Sequence, residues 1–168
     1  MKSKLLRLLL LVAMIHTMIS CSPDALNSVS TTNVSSTTKI VDYTYNASEI
    51  ETMALINEYR VSIGLNALKD INYISVKAEE HNNDMIAVNT ISHDGFVARS
   101  EDIMKVLGAT KVGENVAYNY STSQAAFNAW LNSPGHRENI EGDFTNFGMS
   151  IRLDAAGRKY YTNIFIKI

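Results

Sequence analysis

Histidine and glutamate are the residues of this chain best suited to chemistry. Beyond the first twenty residues, imidazoles occur only at His81, His93 and His136. An imidazole can ligate a metal ion or move a proton near neutral pH. In "SPGHRENI", Pro134 and Gly135 should end a helix carrying Trp130 and hold His136 on a short, stiff corner, with Arg137 beside it. In "ISHDGF", Gly95 permits a tight turn and places His93 on a loop. In "VGENVAY", Gly113 should let the backbone bend, Glu114 follows, and Val116 and Ala117 bury the segment. Taken singly, these are an ordinary pair of loop histidines and an ordinary surface or capping carboxylate. Any shared chemistry requires that they meet.

The elements that must bring them together are legible in part. Ser48 and Glu51 have the spacing of a capping box, and Met53, Ile56, Tyr59 and Ile63 follow at helical intervals to a stop at Gly64. A second helix, capped by Asp70, carries Ile74, Ala78, His81, Met85 and Val88 as one apolar stripe. That stripe makes His81 a core residue with satisfied nitrogens. A third helix is expected from Ser100 to about Gly108, and a fourth from about Ser123 to the break at Pro134. Strand patterns come late, in Phe147–Leu153 and Lys159–Ile168, with Glu114–Tyr120 as a third candidate. Helices first and strands late predict an α+β domain in which helices cover a small antiparallel sheet.

The N-terminus reads as an export signal. Lys2, Lys4 and Arg7 precede the apolar run "LLRLLLLVAMI", which is too short and too interrupted for a membrane span. "MISC", Met18–Cys21, resembles the lipobox of bacterial lipoproteins, and Cys21 is the only cysteine. Residues 1–20 are therefore expected to be removed, with Cys21 acylated as the new N-terminus by more than one chain. That removal takes the formal net charge from −2 to −5. A mildly acidic chain without a basic run is a poor nucleic-acid binder. Residues 21–45 include "SVSTTNVSSTT", eight of whose eleven residues are Ser or Thr, and are expected to form a flexible tether. Residues 46–168 suffice for one domain.

Several motifs in fixed order carry a resemblance. "SHDG" with Arg99 after it, "GENVA", Trp130 four residues ahead of "PGHR", and a following "NI" are similar to the bacterial branch of the CAP superfamily. This is also called the SCP family, after cysteine-rich secretory proteins, antigen 5 and pathogenesis-related 1 proteins. "NEYR", "GLNAL", "AEEHNNDM" and "FGMSI" extend the resemblance over roughly Glu51–Ile168. It implies a three-layer α-β-α sandwich with a solvent-accessible cavity lined by two histidines and usually two glutamates. Residue by residue, it places His93, Glu114 and His136 there. A further glutamate of many relatives has no counterpart, since Leu131, Asn132 and Ser133 stand in its place.

The chemistry that suits such a set is divalent metal binding. Two neutral imidazoles suit zinc, with Glu114 either as a third ligand or as the partner that fixes a histidine tautomer. Two histidines without a committed third ligand imply a weak, exchangeable site. The functional expectation is an extracytoplasmic binding module, held to a bacterial membrane through Cys21, with an envelope lipid, glycan or peptide as ligand. The alternatives are a metal-assisted, peptidase-like hydrolase with Glu114 as general base, and a lipid carrier. The sequence leans against an enzyme. Glu114 cannot be both ligand and base, and no serine elbow, reactive cysteine or HExxH helix occurs. Arg137 is expected to pin its turn through a carboxylate or backbone carbonyls, and Trp130 to be core. Asn115 and Asn139 are candidates to cap or cross-link loops around the cavity.

Overall fold

A computed structural model of the protein describes residues 42–168. The expected signal, the lipidation site Cys21 and most of the tether lie outside the described residues. In chain order the elements are α1 (Ala47–Ser62), β1 (Lys69–Asp70), α2 (Asn72–Val88), α3 (Phe96–Leu107), β2 (Lys111–Tyr118), α4 (Ser123–Asn132), α5 (Pro134–Ile140), β3 (Asn146–Leu153) and β4 (Lys159–Lys167). The strands form one sheet in the order β1-β3-β4-β2. β2, β4 and β3 pair antiparallel, whereas the two-residue β1 runs parallel to β3. The sheet is therefore mixed rather than purely antiparallel, and the two-residue β1 that makes it so is too short to carry a sequence pattern of its own.

Side-chain alternation divides the two helical layers. Phe147, Met149 and Ile151 of β3, Tyr161 and Phe165 of β4, and Ala117 of β2 join Ile56, Phe127, Trp130 and Ile140 in one core beneath α1, α4 and α5. Ile164 and Ile166 of β4 pack on the opposite face with Ile74, Ala78 and Ile103 from α2 and α3. Each of the large aliphatic and Phe side chains contributes about 1.5–3 kcal/mol by leaving water. Both faces of β3 and β4 are covered, so their buried residues run consecutively instead of alternating.

The helix ends differ from expectation where tertiary partners intervene. The capping box of α1 is Asn46 with Glu49, not Ser48 with Glu51: Asn46 Oδ1 accepts from Glu49 N at 3.0 Å, and Asn46 N donates back to Glu49 Oε2 at 2.8 Å. Glu49 wins because its other oxygen accepts from Tyr43 Oη, Ile151 N and Arg152. Tyr43 and Tyr45, ahead of the expected domain start, are thereby tied into the fold through Glu49 and Ser75. Asp70 is a strand residue; Ile71 caps α2 without a side-chain bond. The stripe of α2 is buried as expected from Ile74 to Met85, but Val88 is exposed. α3 begins four residues before Ser100, because Gly95 at φ +72° lets the chain enter the helix at once. Pro134 does end α4, but it also opens α5 at its first position, where its missing N–H costs nothing. His136 therefore sits in the first turn of a short helix, not on a corner.

The buried Arg60 of "NEYR" joins the end of α1 to the segment after α5. It donates to the carbonyl oxygens of Asn66, Ile140 and Gly142 at 2.9, 2.6 and 2.9 Å. On the other face, α2 crosses β3 at Gly148, where a Cβ would lie 2.5 Å from Ser75 N and 2.6 Å from Ile74 Cβ. Gly148→Ala is expected to force α2 away from the sheet and to cost about 1–3 kcal/mol, measured by urea unfolding.

Candidate functional site

The site is built around one dipeptide on an edge strand. Consecutive strand residues point to opposite faces, so β2 sends Glu114 toward α2 and α3 and Asn115 toward α4 and α5. Each anchors one histidine.

Glu114 is buried, with its side chain 1% exposed. Arg99, on the inward side of α3, forks onto it: Nε donates to Oε2 at 2.9 Å, and Nη2 lies 2.9 Å from Oε1 and 2.7 Å from Oε2. His93 Nδ1 approaches Oε1 at 2.9 Å. A carboxylate held by an arginine only accepts, so the proton of His93 belongs on Nδ1 and the lone pair on Nε2. The His93 side chain is half exposed. Its backbone belongs to the turn that launches α3, where Phe96 N donates to His93 O at 3.0 Å. Arg99 also donates to Asp94 O at 3.2 Å, which ties that turn to the same guanidinium.

Asn115 Nδ2 donates to the backbone carbonyl of His136 at 2.9 Å. Asn139, one turn further along α5, donates to Asn115 Oδ1 at 2.9 Å and to Glu114 O at 3.1 Å. The expected cross-links are thus present, and they sew α5 onto the free edge of β2. Trp130 is core, and its Nε1 donates to Val116 O at 2.9 Å. Gly113 is not a bend: it lies in regular strand, and a Cβ there would sit 2.6 Å from Asn139 Oδ1. Its role is to admit Asn139. Arg137 pins its turn through a carbonyl, with Nε donating to Leu131 O at 2.6 Å.

His81 is buried as expected, but only one of its nitrogens is satisfied. Nε2 faces Ser92 O at 2.9 Å and therefore carries the proton, while Nδ1 has no partner. Burial pushes its pKa down against the opposing pull of Glu114, whose Oε1 is 3.8 Å away. His136 is also pushed below the ordinary value of 6.5, first by burial and then by the charge of His93. Among the described residues, no group of three His, Cys, Asp or Glu side chains is arranged to hold a metal ion. Glu114 has both oxygens engaged by Arg99 and His93, which is the geometry of a tautomer-fixing partner.

Arg99 is the functional residue whose role was not read from sequence, although its place in the "SHDG" motif was. Its position four residues beyond Gly95 in a helix opening there was the available signal.

The match of residues 53–165 to the cysteine-rich secretory protein (CAP) family covers the whole of this site. The chain belongs to the CAP family. Two relatives come from Bacillus subtilis. The CAP domain is 35% identical over 127 residues to the membrane protein YlbC, covering 71% of this chain and 34% of the relative. It is 32% identical over 123 residues to YkwD, covering 71% and 48%. The chain thus spans less than half the length of these curated relatives. Among solved structures, an extracellular SCP-domain protein of Bacillus anthracis superposes with a TM-score of 0.62 at 30% identity, covering 72% of this chain and 40% of that one. An outer surface protein of Borrelia burgdorferi superposes at 0.63 with 21% identity, covering 74% and 96%, and shares the fold. No helix among the described residues is long and apolar enough to cross a membrane.

Two outcomes follow for the CAP domain. Arg99→Met strands a buried carboxylate and is expected to cost about 3–5 kcal/mol in chemical unfolding, much of it recovered by adding Glu114→Gln. In metal-free buffer, His136 should titrate below 6.5 by NMR, and His93→Ala should raise that value by removing a neighbouring charge. The sign for stability follows: the unfolded chain takes up the proton first, so this contribution is present above 6.5 and lost as pH falls through the folded value.

Proposed function

We propose that this CAP domain is an extracytoplasmic binding module in which His93 and His136 hold a divalent metal ion weakly. The observation that carries the reading is the Arg99–Glu114–His93 chain. It fixes the proton on Nδ1 and leaves Nε2 of His93 as a lone-pair donor, while burial favours the neutral form of His136, which Asn115 of the same strand holds through its carbonyl. Neutral nitrogens of this kind match zinc better than calcium or magnesium, which take oxygen ligands. Glu114 is the carboxylate behind the ligand rather than a ligand. A bound ion would act as a Lewis acid toward an oxygen of an incoming molecule. With only two protein donors, most of its coordination positions would stay open to solvent or ligand, which suits an exchangeable site.

The same geometry weakens the hydrolytic alternative. Glu114 is committed to Arg99 and His93, so it is not free to take a proton from water. Binding rather than turnover is the reading that the residues support. Attachment to the envelope through Cys21 rests on the export-type N-terminus. Relatives described as a membrane protein and as an extracellular protein lend it support.

Isothermal titration of the metal-free protein with Zn²⁺ tests the site. Saturable binding is expected for the wild type, weakened about tenfold by Glu114→Gln and abolished in His93→Ala/His136→Ala. Equal heats for the wild type and the double variant would reject it.

A further inference from the structure

A slot of ≈ 320 Å³ opens beside His136, between the end of β2 and α4. Trp130 and Val116 form its floor, Ala129 one wall, and Ile91 and Tyr120 its mouth. Ile91 and Tyr120 are 43% and 37% exposed, among the large apolar side chains left at the surface. None of the nine lining residues is an acid, a lysine or an arginine. A charged group entering would lose hydration without a partner. Ile91, Val116, Ala117, Ala129 and Trp130 give the slot a mainly apolar lining that suits an apolar side chain.

The strand beside the slot offers something more specific. β2 is an edge strand, and the main-chain groups of Glu114, Val116 and Tyr118 face its free edge while the intervening residues bond to β4. Asn139 takes the Glu114 carbonyl and Trp130 takes the Val116 carbonyl. That capping stops there. Neither the N–H nor the C=O of Tyr118 makes a hydrogen bond with a described residue outside the strand ladder. An unpaired donor and acceptor at the rim of an uncharged slot are what one residue of an extended peptide requires. Main-chain groups would pair with Tyr118 while the side chain fills the slot.

We infer that this slot is a subsite for an extended peptide, taking one bulky apolar side chain next to His136. The inference rests on the cleft being a ligand site but not on the metal. His136 lines the same slot, so the slot sets which residue of the peptide lies beside that imidazole. The volume is at the lower end for ligand pockets and accommodates a leucine or phenylalanine side chain rather than a long acyl chain.

The test uses N-acetyl-leucinamide, which carries an amide N–H, a carbonyl and one apolar side chain. The protein has a single tryptophan, so Trp130 gives one indole N–H signal in a ¹⁵N–¹H correlation spectrum. With EDTA present, N-acetyl-leucinamide should shift that signal and the Tyr118 amide saturably. N-acetylglycinamide should need about tenfold higher concentration, since it lacks the buried side chain. Ala129→Leu, which fills the slot from a half-buried helical position, should remove the response with an unchanged thermal midpoint. If that variant does not fold, Ile91→Glu at the exposed mouth decides in its place. Loss of the response supports the subsite, and an unchanged response overturns it. Absence of saturable shifts, an equal response to N-acetylglycinamide, or a response to N-acetylglucosamine at the same or lower concentration also overturns it. Success here with failed zinc titration would leave the peptide subsite standing and discard the metal, and the reverse result would do the opposite.

Discussion

A buried carboxylate clamped by a guanidinium organises one half of the cleft. Glu114 is almost fully enclosed, and a charge in that position is tolerated only with a partner of good geometry. Arg99 supplies that partner in forked form, with three short N–O contacts. Such a pair adds little net stability over well-packed apolar groups. What it contributes is position. It holds the entrance to α3 against β2, and it leaves one carboxylate oxygen pointed at His93. The tautomer of that imidazole follows from the charge on Glu114, so the electrostatics of the buried pair set the chemistry of an exposed ring.

The other half of the cleft is organised by amides on the edge of the sheet. An edge strand presents unpaired main-chain groups that must find partners or water. In β2 these partners are the side chains of Trp130 and Asn139, and the side chain of Asn115 reciprocates by holding the backbone of α5. α5 is only seven residues long and could not be stable alone. Its attachment to β2 brings His136 to the strand edge, beside Val116 and Tyr118. Gly113 belongs to this arrangement because only a residue without Cβ lets Asn139 approach. "GEN" is thus one device: a gap, a charge for one layer and an amide for the other.

Membership of the CAP family accounts for the fold, and solved relatives at 20–30% identity reproduce it. The sheet edge is where variation would alter function at small structural cost. The cores beneath α1, α4 and α5 and beneath α2 and α3 are closed apolar clusters. The rim near Ile91 and Tyr120 is exposed and makes few demands on the fold. Chemistry at the histidines and choice of occupant at the rim can therefore change independently.

The sequence by itself determined the helical stripe of α2, the late strands, the break at Pro134 and the candidate residues His93, Glu114 and His136. These are local patterns or motifs, and their signal lies within a few neighbouring residues. Tertiary structure alone decided the capping of α1 by Asn46 and Glu49, since Glu49 is selected by Ile151 and Arg152 about a hundred residues away. It also decided the pairing of β1 with β3, which two residues cannot encode. Above all it decided the role of Arg99. A guanidinium chooses its carboxylate through packing across layers, and no spacing along the chain specifies which carboxylate will be within reach.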